Sequence, residues 1–291
     1  MATPEMKPLV ACRLTVIGLG LMGGSLAGAL RGHCREVVGV DRQPETLERA
    51  LAAGLVQRAS SDLKEAVGEA DIVVLATPVR TIIALLGQIA PWLREGTLVM
   101  DLGSTKTAIV DAMATLPDHV EPLGGHPMCG KETSGINAAD PELFRSRTFI
   151  LSPLSRTSAA AVALGQELVC AAGASPLMVA PERQDYLVGT LSHLPYLLAC
   201  ALINTADRTT SADPLAWQII AGGFRDTSRV AGSDVTMMVD ILLTNREEVV
   251  KAARHCAEAL AALTELVEAG DEAQLREVLN YIRDTRKEMY P

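Results

Sequence analysis

RLTVIGLGLMGGSLAGAL, residues 13–30, opens on an alternating apolar run, breaks on three glycines and continues as an apolar helical pattern. The order is strand, tight turn, helix, and Gly18, Gly20 and Gly23 take the G-x-G-x-x-G spacing of a dinucleotide-binding turn. Each glycine has its own task. Gly18 permits the turn, Gly20 lets a pyrophosphate approach the backbone, and Gly23 lets the helix pack closely on the strand. The helix start, with Leu21 and Met22, offers unbonded amides to phosphate. The next strand pattern, EVVGVD, closes on Asp41, where a carboxylate can accept from the adenosine ribose hydroxyls. The charge of Asp41 repels a 2′-phosphate and favours NAD. Arg42 pulls the other way and keeps NADP open.

Outward from this turn, β-branched runs alternate with longer helical patterns as far as residue 180: LTVIG, EVVGVD, DIVVLATP, TLVMDLG, HVEPLGG, TFILSP and ASPLMVAP. Such alternation predicts parallel strands joined by crossover helices, an α/β, Rossmann-type doubly wound sheet. After Pro181 no strand-like run remains and the pattern is helical to the end. We therefore expect a nucleotide-binding domain over 1–180 and an all-helical substrate and dimerisation domain over 181–291.

Composition narrows the function classes. A net charge of −9 argues against a nucleic-acid or anionic-membrane surface, so anionic ligands must be held by a few local cations or backbone amides. The six cysteines show no C-x-x-C and no paired spacing, and they read as buried thiols in a reducing cytoplasm. The N-terminal MATPEMKPLVAC lacks a signal-peptide core. The most apolar helical run, LSHLPYLLACALI, reads as too short for a bilayer and carries a His and a Pro. A soluble cytoplasmic protein is expected.

Ligands of doubly wound sheets sit outside the carboxyl ends of the strands. Three such ends carry chemistry: Thr77-Pro78, the DLGSTK segment with Ser104 and Lys106, and GGHPMCG with His126. Thr77, Pro78 and Lys106 are the further candidates for cofactor contact. His126 and Cys129 form no metal site by spacing, since no second His or Cys cluster accompanies them, and no metal is expected. A Cys129 nucleophile would lack an orienting third group. His126 is then either a buried structural histidine or a general base in a cofactor crevice, the place where a base is wanted.

Taken together and in order, GLGLMGGS, DLGSTK, GGHPMCGKETSG, SHLP (192–195) and GGFRDTSR (222–229) resemble the prephenate and arogenate dehydrogenases of tyrosine biosynthesis, over about residues 13–240. The resemblance implies NAD-dependent oxidative decarboxylation. Hydride leaves C4 of a cyclohexadienol, the C4 hydroxyl loses its proton, and carbon dioxide departs as the ring aromatises. It makes His126 and Ser104 the catalytic pair at that hydroxyl, and it places Arg229, His193, Glu132 and Asp226 at the substrate. Arg229 is better used on the side-chain carboxylate, because tight pairing with the departing one would stabilise the ground state. Read singly, Glu132 could equally be a solvated loop acid, His193 a satisfied core histidine and Asp226 a surface partner of Arg225. Two departures stand out: Cys129 where the family often has Ala, and Gln184-Asp185 where it often has His-Asp.

Rivals remain. A β-hydroxyacid-type dehydrogenase shares the glycine turn, but it resembles its own group in using an early helical-domain lysine, and none occurs here between Lys131 and Lys251. A non-enzymatic NAD-binding module would bind NAD without turnover. Prephenate stands first as substrate and arogenate second. The Leu- and Ala-rich helices after 181 suggest a homodimer.

Overall fold

The computed structural model describes residues 6–131 and 133–289. The glycine turn joins β1 (Arg13–Ile17) to α1 (Leu21–Leu30). The chain then alternates through β2 (Glu36–Val40), α2 (Pro44–Ala52), β3 (Arg58–Ser60), α3 (Leu63–Gly68), β4 (Ile72–Leu75), α4 (Val79–Ile89), β5 (Leu98–Asp101), α5 (Thr107–Met113) and β6 (Glu121–Pro127). It continues with β7 (Thr148–Pro153), α6 (Ala159–Ala171) and β8 (Ser175–Met178). The strands form one sheet in the order β3-β2-β1-β4-β5-β6-β7-β8.

Period-2 alternation explains why this sheet is covered on both faces. In β1, Leu14 and Val16 enter the core beneath α1 and α6, while Ile17 enters the core beneath α3, α4 and α5. In β4, Ile72 and Val74 face the first core and Val73 and Leu75 the second. Each fully buried Leu, Ile or Val contributes about 1.5–3 kcal/mol of transfer free energy.

The doubly wound sheet agrees with the sequence reading except in direction and count. β1 to β6 are parallel, but β6 pairs antiparallel with β7, and β8 is parallel to β7. The reversal follows from the connection. Among the described residues, 128–147 carry only a single 3-10 turn, Ile136–Ala138, and a parallel return would need a crossover. β3 is an eighth strand; its three half-buried residues have no apolar signature.

The rest is helical: α7 (Pro181–Val188), one π-turn at Gly189–His193, α8 (Leu194–Thr210), α9 (Gly222–Ser228), α10 (Val235–Thr244), α11 (Arg246–Ala269) and α12 (Glu272–Met289). Pro195 has no N–H to give the carbonyl four residues back, and the chain passes it through the π-turn without breaking the helix. The apolar run is consequently longer than its sequence suggests. Pro181–Thr210 is a 30-residue helix with an 18-residue window of mean hydropathy 1.6, long and apolar enough to cross a membrane by length and composition, and only 22% of that window is buried. Among the described residues, the six cysteines are free, but only Cys12 and Cys34 are buried and Cys170 is exposed. That corrects the expectation of six buried thiols.

Two aspartates seat the helical segment on the sheet. Asp185 of α7 accepts from the backbone amides of Lys106 (2.6 Å) and Thr107 (2.8 Å) at the start of α5. Asp240 of α10 accepts from the amide of Arg80 (3.0 Å) in the first turn of α4 and pairs with the Arg80 guanidinium at 2.5 Å. Carboxylates are favourable there, because helix N-termini carry unbonded N–H groups and the positive end of the helix dipole.

Candidate active site

With α4 and α5 capped from the helical segment, α1 keeps an N-terminus without a side-chain cap. Gly18 holds φ +93°, and a Cβ on Gly23 would sit 1.9 Å from the Gly18 carbonyl oxygen, so the turn and the helix contact both require glycine. A Cβ on Gly20 would meet nothing within 4 Å, which leaves the backbone open to a ligand. Asp41 lies just beyond β2 and accepts from the amides of Leu19 (2.9 Å) and Gln43 (3.0 Å), so its carboxylate is tied to the glycine turn itself. Arg42 is exposed beside it. These residues fit a dinucleotide: an open amide terminus for the phosphates and an acceptor at the ribose position.

From this turn a crevice of about 610 Å³ runs between the sheet's carboxyl edge and the helical segment. Gly20, Leu21, Met22, Thr77, Pro78, Ser104, His126 and His193 all line it. The Thr77 Oγ1 is buried there without a hydrogen-bond partner, a polar group left for a ligand.

His126 belongs to β6, pairing opposite Ile150 of β7, and not to a loop over the crevice. Its neighbour Gly125 allows the close packing: a Cβ there would fall 2.4 Å from the Asp101 carbonyl oxygen. The ring is buried, and burial, the Lys106 ammonium and His193 push its pKa down to about 3. Nδ1 lies 3.0 Å from the side-chain amide of Gln184, which leaves Nε2 as the nitrogen available to a ligand. Burial and Lys106 keep the imidazole neutral at pH 7, and whether Nε2 offers a lone pair depends on the tautomer that the Gln184 contact selects. Cys129 is half-buried against the core, and burial pushes its thiol up to about 11, the wrong direction for a nucleophile or a metal ligand.

His193 closes the π-turn and is 1% exposed; burial lowers its pKa to about 4. Asn245 Nδ2 donates to the Asp185 carbonyl (2.8 Å) and lies 3.2 Å from His193 Nδ1. Because that amide already faces an acceptor, its NH₂ orientation is set and Nδ1 accepts from it. The neutral ring therefore carries its proton on Nε2, a buried donor with no protein partner.

Lys106 departs from its expected place. It is fully buried, and its ammonium bonds the Asp101 carboxylate, the Gly103 carbonyl (3.2 Å) and the Gly125 carbonyl (2.5 Å), so all three N–H groups are used beneath the crevice. It is not a cofactor contact. Burial pushes the Asp101 carboxyl up and the Lys106 ammonium down, and their pairing offsets both. Arg229 opens a 3-10 turn and is exposed, as is Asp226, while the adjoining Val230 and Ser233 line the crevice. Glu132 lies outside the described residues. Reading the sequence alone missed Asp101, Gln184, Asp185 and Asn245 as supports. The first had a signal, an acid closing an apolar strand; the other three had none of comparable strength, since Gln184 and Asp185 sit in the polar PERQD start of their helix.

The chain matches two family models: "Prephenate dehydrogenase, nucleotide-binding domain" over residues 26–177 and "Prephenate dehydrogenase, dimerization domain" over residues 180–281. It is 34% identical over 240 residues to the prephenate dehydrogenase of Bacillus subtilis. That match covers 81% of this chain and 65% of the Bacillus protein, so the chain spans about two thirds of that relative's length. Among solved structures, it is similar to prephenate dehydrogenase from A. aeolicus in complex with hydroxyphenyl propionate and NAD+, with TM-score 0.89, 30% identity and coverage of 97% of this chain and 100% of that one. Synechocystis arogenate dehydrogenase is similar at TM-score 0.82 and 30% identity, covering 95% and 99%.

Proposed function

The chain belongs to the prephenate dehydrogenase family, and from this premise we propose that it catalyses the NAD-dependent oxidative decarboxylation of prephenate to 4-hydroxyphenylpyruvate in tyrosine biosynthesis. One observation carries the reading: a single crevice holds both the open N-terminus of α1 and His126. NAD bound along the glycine turn, with Gly18, Gly20, Gly23, Leu21, Met22, Thr77 and Pro78 against it and Asp41 at the ribose, would supply the acceptor for the hydride from C4.

The chain's own residues then have separate tasks. His126 Nε2 accepts the proton of the C4 hydroxyl, and Ser104 holds that oxygen. His193 donates from Nε2 to a substrate oxygen. Arg229 binds the side-chain carboxylate, and Glu132 and Asp226 are further substrate-binding residues. A protonated His126 would be poorly tolerated beside Lys106, and the two carboxylates of prephenate bring the compensating charge into the crevice.

Residues 1–180 serve as the nucleotide domain and 181–291 as the substrate and dimerisation domain. The helical segment carries exposed Leu191, Ile219, Leu260 and Tyr281, the surface expected of a homodimer. The place of action is the cytoplasm. Arogenate is the second reading, favoured by the near-complete overlap with an arogenate dehydrogenase structure. Turnover of both substrates with NAD and NADP tests both readings. His126→Asn should lower kcat by on the order of 10² or more with little change in substrate binding, and failure of the wild type on both substrates would sink the proposal.

A further inference from the structure

Gln184 is fully buried on α7, and the one hydrogen bond of its side chain goes to the ring of His126. As placed, the amide nitrogen lies 3.0 Å from Nδ1 and the carbonyl oxygen is buried without a partner. The oxygen and nitrogen of an amide have nearly the same shape, so this contact is compatible with two protonation patterns. If the NH₂ donates to Nδ1, the neutral ring carries its proton on Nε2, and the nitrogen left for a ligand cannot take another. If the carbonyl accepts from Nδ1–H, Nε2 keeps its lone pair.

Only the second pattern makes a base. We infer that Gln184 is a positioning residue whose side-chain carbonyl accepts from Nδ1–H of His126 and so presents Nε2 to the substrate hydroxyl as an acceptor. The consequence for turnover rests on the dehydrogenase reading; the tautomer itself does not. Placement of the amide is firm, because the next residue, Asp185, is bonded to two backbone amides of α5. A neutral partner also differs in kind from a carboxylate, which would stabilise the imidazolium. The charged or titratable groups acting on the ring are Lys106 from the start of α5 and His193 from the π-turn, and both disfavour the protonated form. Gln184 therefore selects the tautomer of a ring that its surroundings keep neutral.

The test is the 15N spectrum of 15N-histidine-labelled wild-type enzyme without substrate, recorded at neutral pH. Of the five histidines, His126 is identified by the signal lost in His126→Asn. A protonated Nδ1 with an unprotonated Nε2 is the expected pattern, and a protonated Nε2 overturns the inference. Gln184→Leu should remove the preference and lower kcat by on the order of 10-fold or more, with KM moving less than about threefold. Gln184→Glu keeps an acceptor, so it should restore the tautomer and move the acid limb of the kcat profile to higher pH. Unchanged kcat in a folded Gln184→Leu protein would also overturn it, and if that variant does not fold, the wild-type spectrum and the Glu variant decide. Failure of the functional reading is separate: it appears as no turnover by the wild type, with the spectrum unaffected.

Discussion

The Asp185 carboxylate lies 2.6 Å from the backbone amide of Lys106, its other oxygen lies 2.8 Å from that of Thr107, and the first turn of α5 is thereby closed by a residue of α7. The same helix carries Gln184 and leads into His193, so this contact fixes the seat of two residues of the crevice. Asp185→Ala should cost roughly 3 kcal/mol, since one buried and one part-buried backbone donor lose a charged acceptor. Urea unfolding would measure it, and Asp185→Asn, which retains one oxygen, should lose less. An Ala variant as stable as the wild type would mean that water replaces the carboxylate without cost.

Lys106 gives the second prediction, opposite to the one its sequence suggests. As a cofactor contact, its loss would raise the KM for NAD and leave stability alone. Buried with Asp101, its loss strands a carboxylate in the core, a change that costs about 3–5 kcal/mol. Lys106→Met should therefore lower Tm sharply, and the double variant Lys106→Met/Asp101→Leu should recover part of the loss. Thermal unfolding of the three proteins measures both effects.

The difference between those two readings marks how far the sequence is legible. The glycine turn was readable because its spacing, the preceding strand and Asp41 are all local. Strand direction was not: burial alternates identically in parallel and antiparallel strands, and only the helix-poor stretch 128–147 hints at the reversal of β7. Lys106 was misplaced because a strand-end position does not say whether a side chain points into the crevice or beneath it. His126 was found by residue type, yet its partner Gln184 is 58 residues away, and Asn245 is 52 residues from His193. Such long-range pairings have no local spacing to reveal them.

Acid should weaken the fold through the two histidines. Burial holds His126 down to about 3 and His193 to about 4, against 6.5 for an unperturbed histidine. Between those values the unfolded chain binds protons that the folded chain refuses, so stability rises with pH in that window. The contribution is fully present above pH 6.5 and is lost as the pH falls towards 4, by about 1.4 kcal/mol per pH unit for each histidine. Urea midpoints measured between pH 4.5 and 7 should show this slope, and His126→Asn should flatten it. An equal slope in the variant would mean that His126 titrates normally.

Asp41 supplies the last prediction, and its bonds make the outcome two-sided. The carboxylate is the only acceptor bonded to the Leu19 amide among the described contacts, so it holds the turn as well as facing the ribose position. Removing the charge abolishes its repulsion of a 2′-phosphate, and the exposed Arg42 next to it can then pair with that phosphate. Asp41→Ser should accordingly raise the NADP-to-NAD ratio of kcat/KM. A serine is shorter and uncharged, however, so the turn loses its clamp and the KM for NAD should rise as well. The selectivity change should then exceed whatever gain NADP shows on its own. Steady-state kinetics with both cofactors separates the two effects: a loss shared equally by NAD and NADP would assign Asp41 to the turn alone, and a changed ratio assigns it to the ribose too.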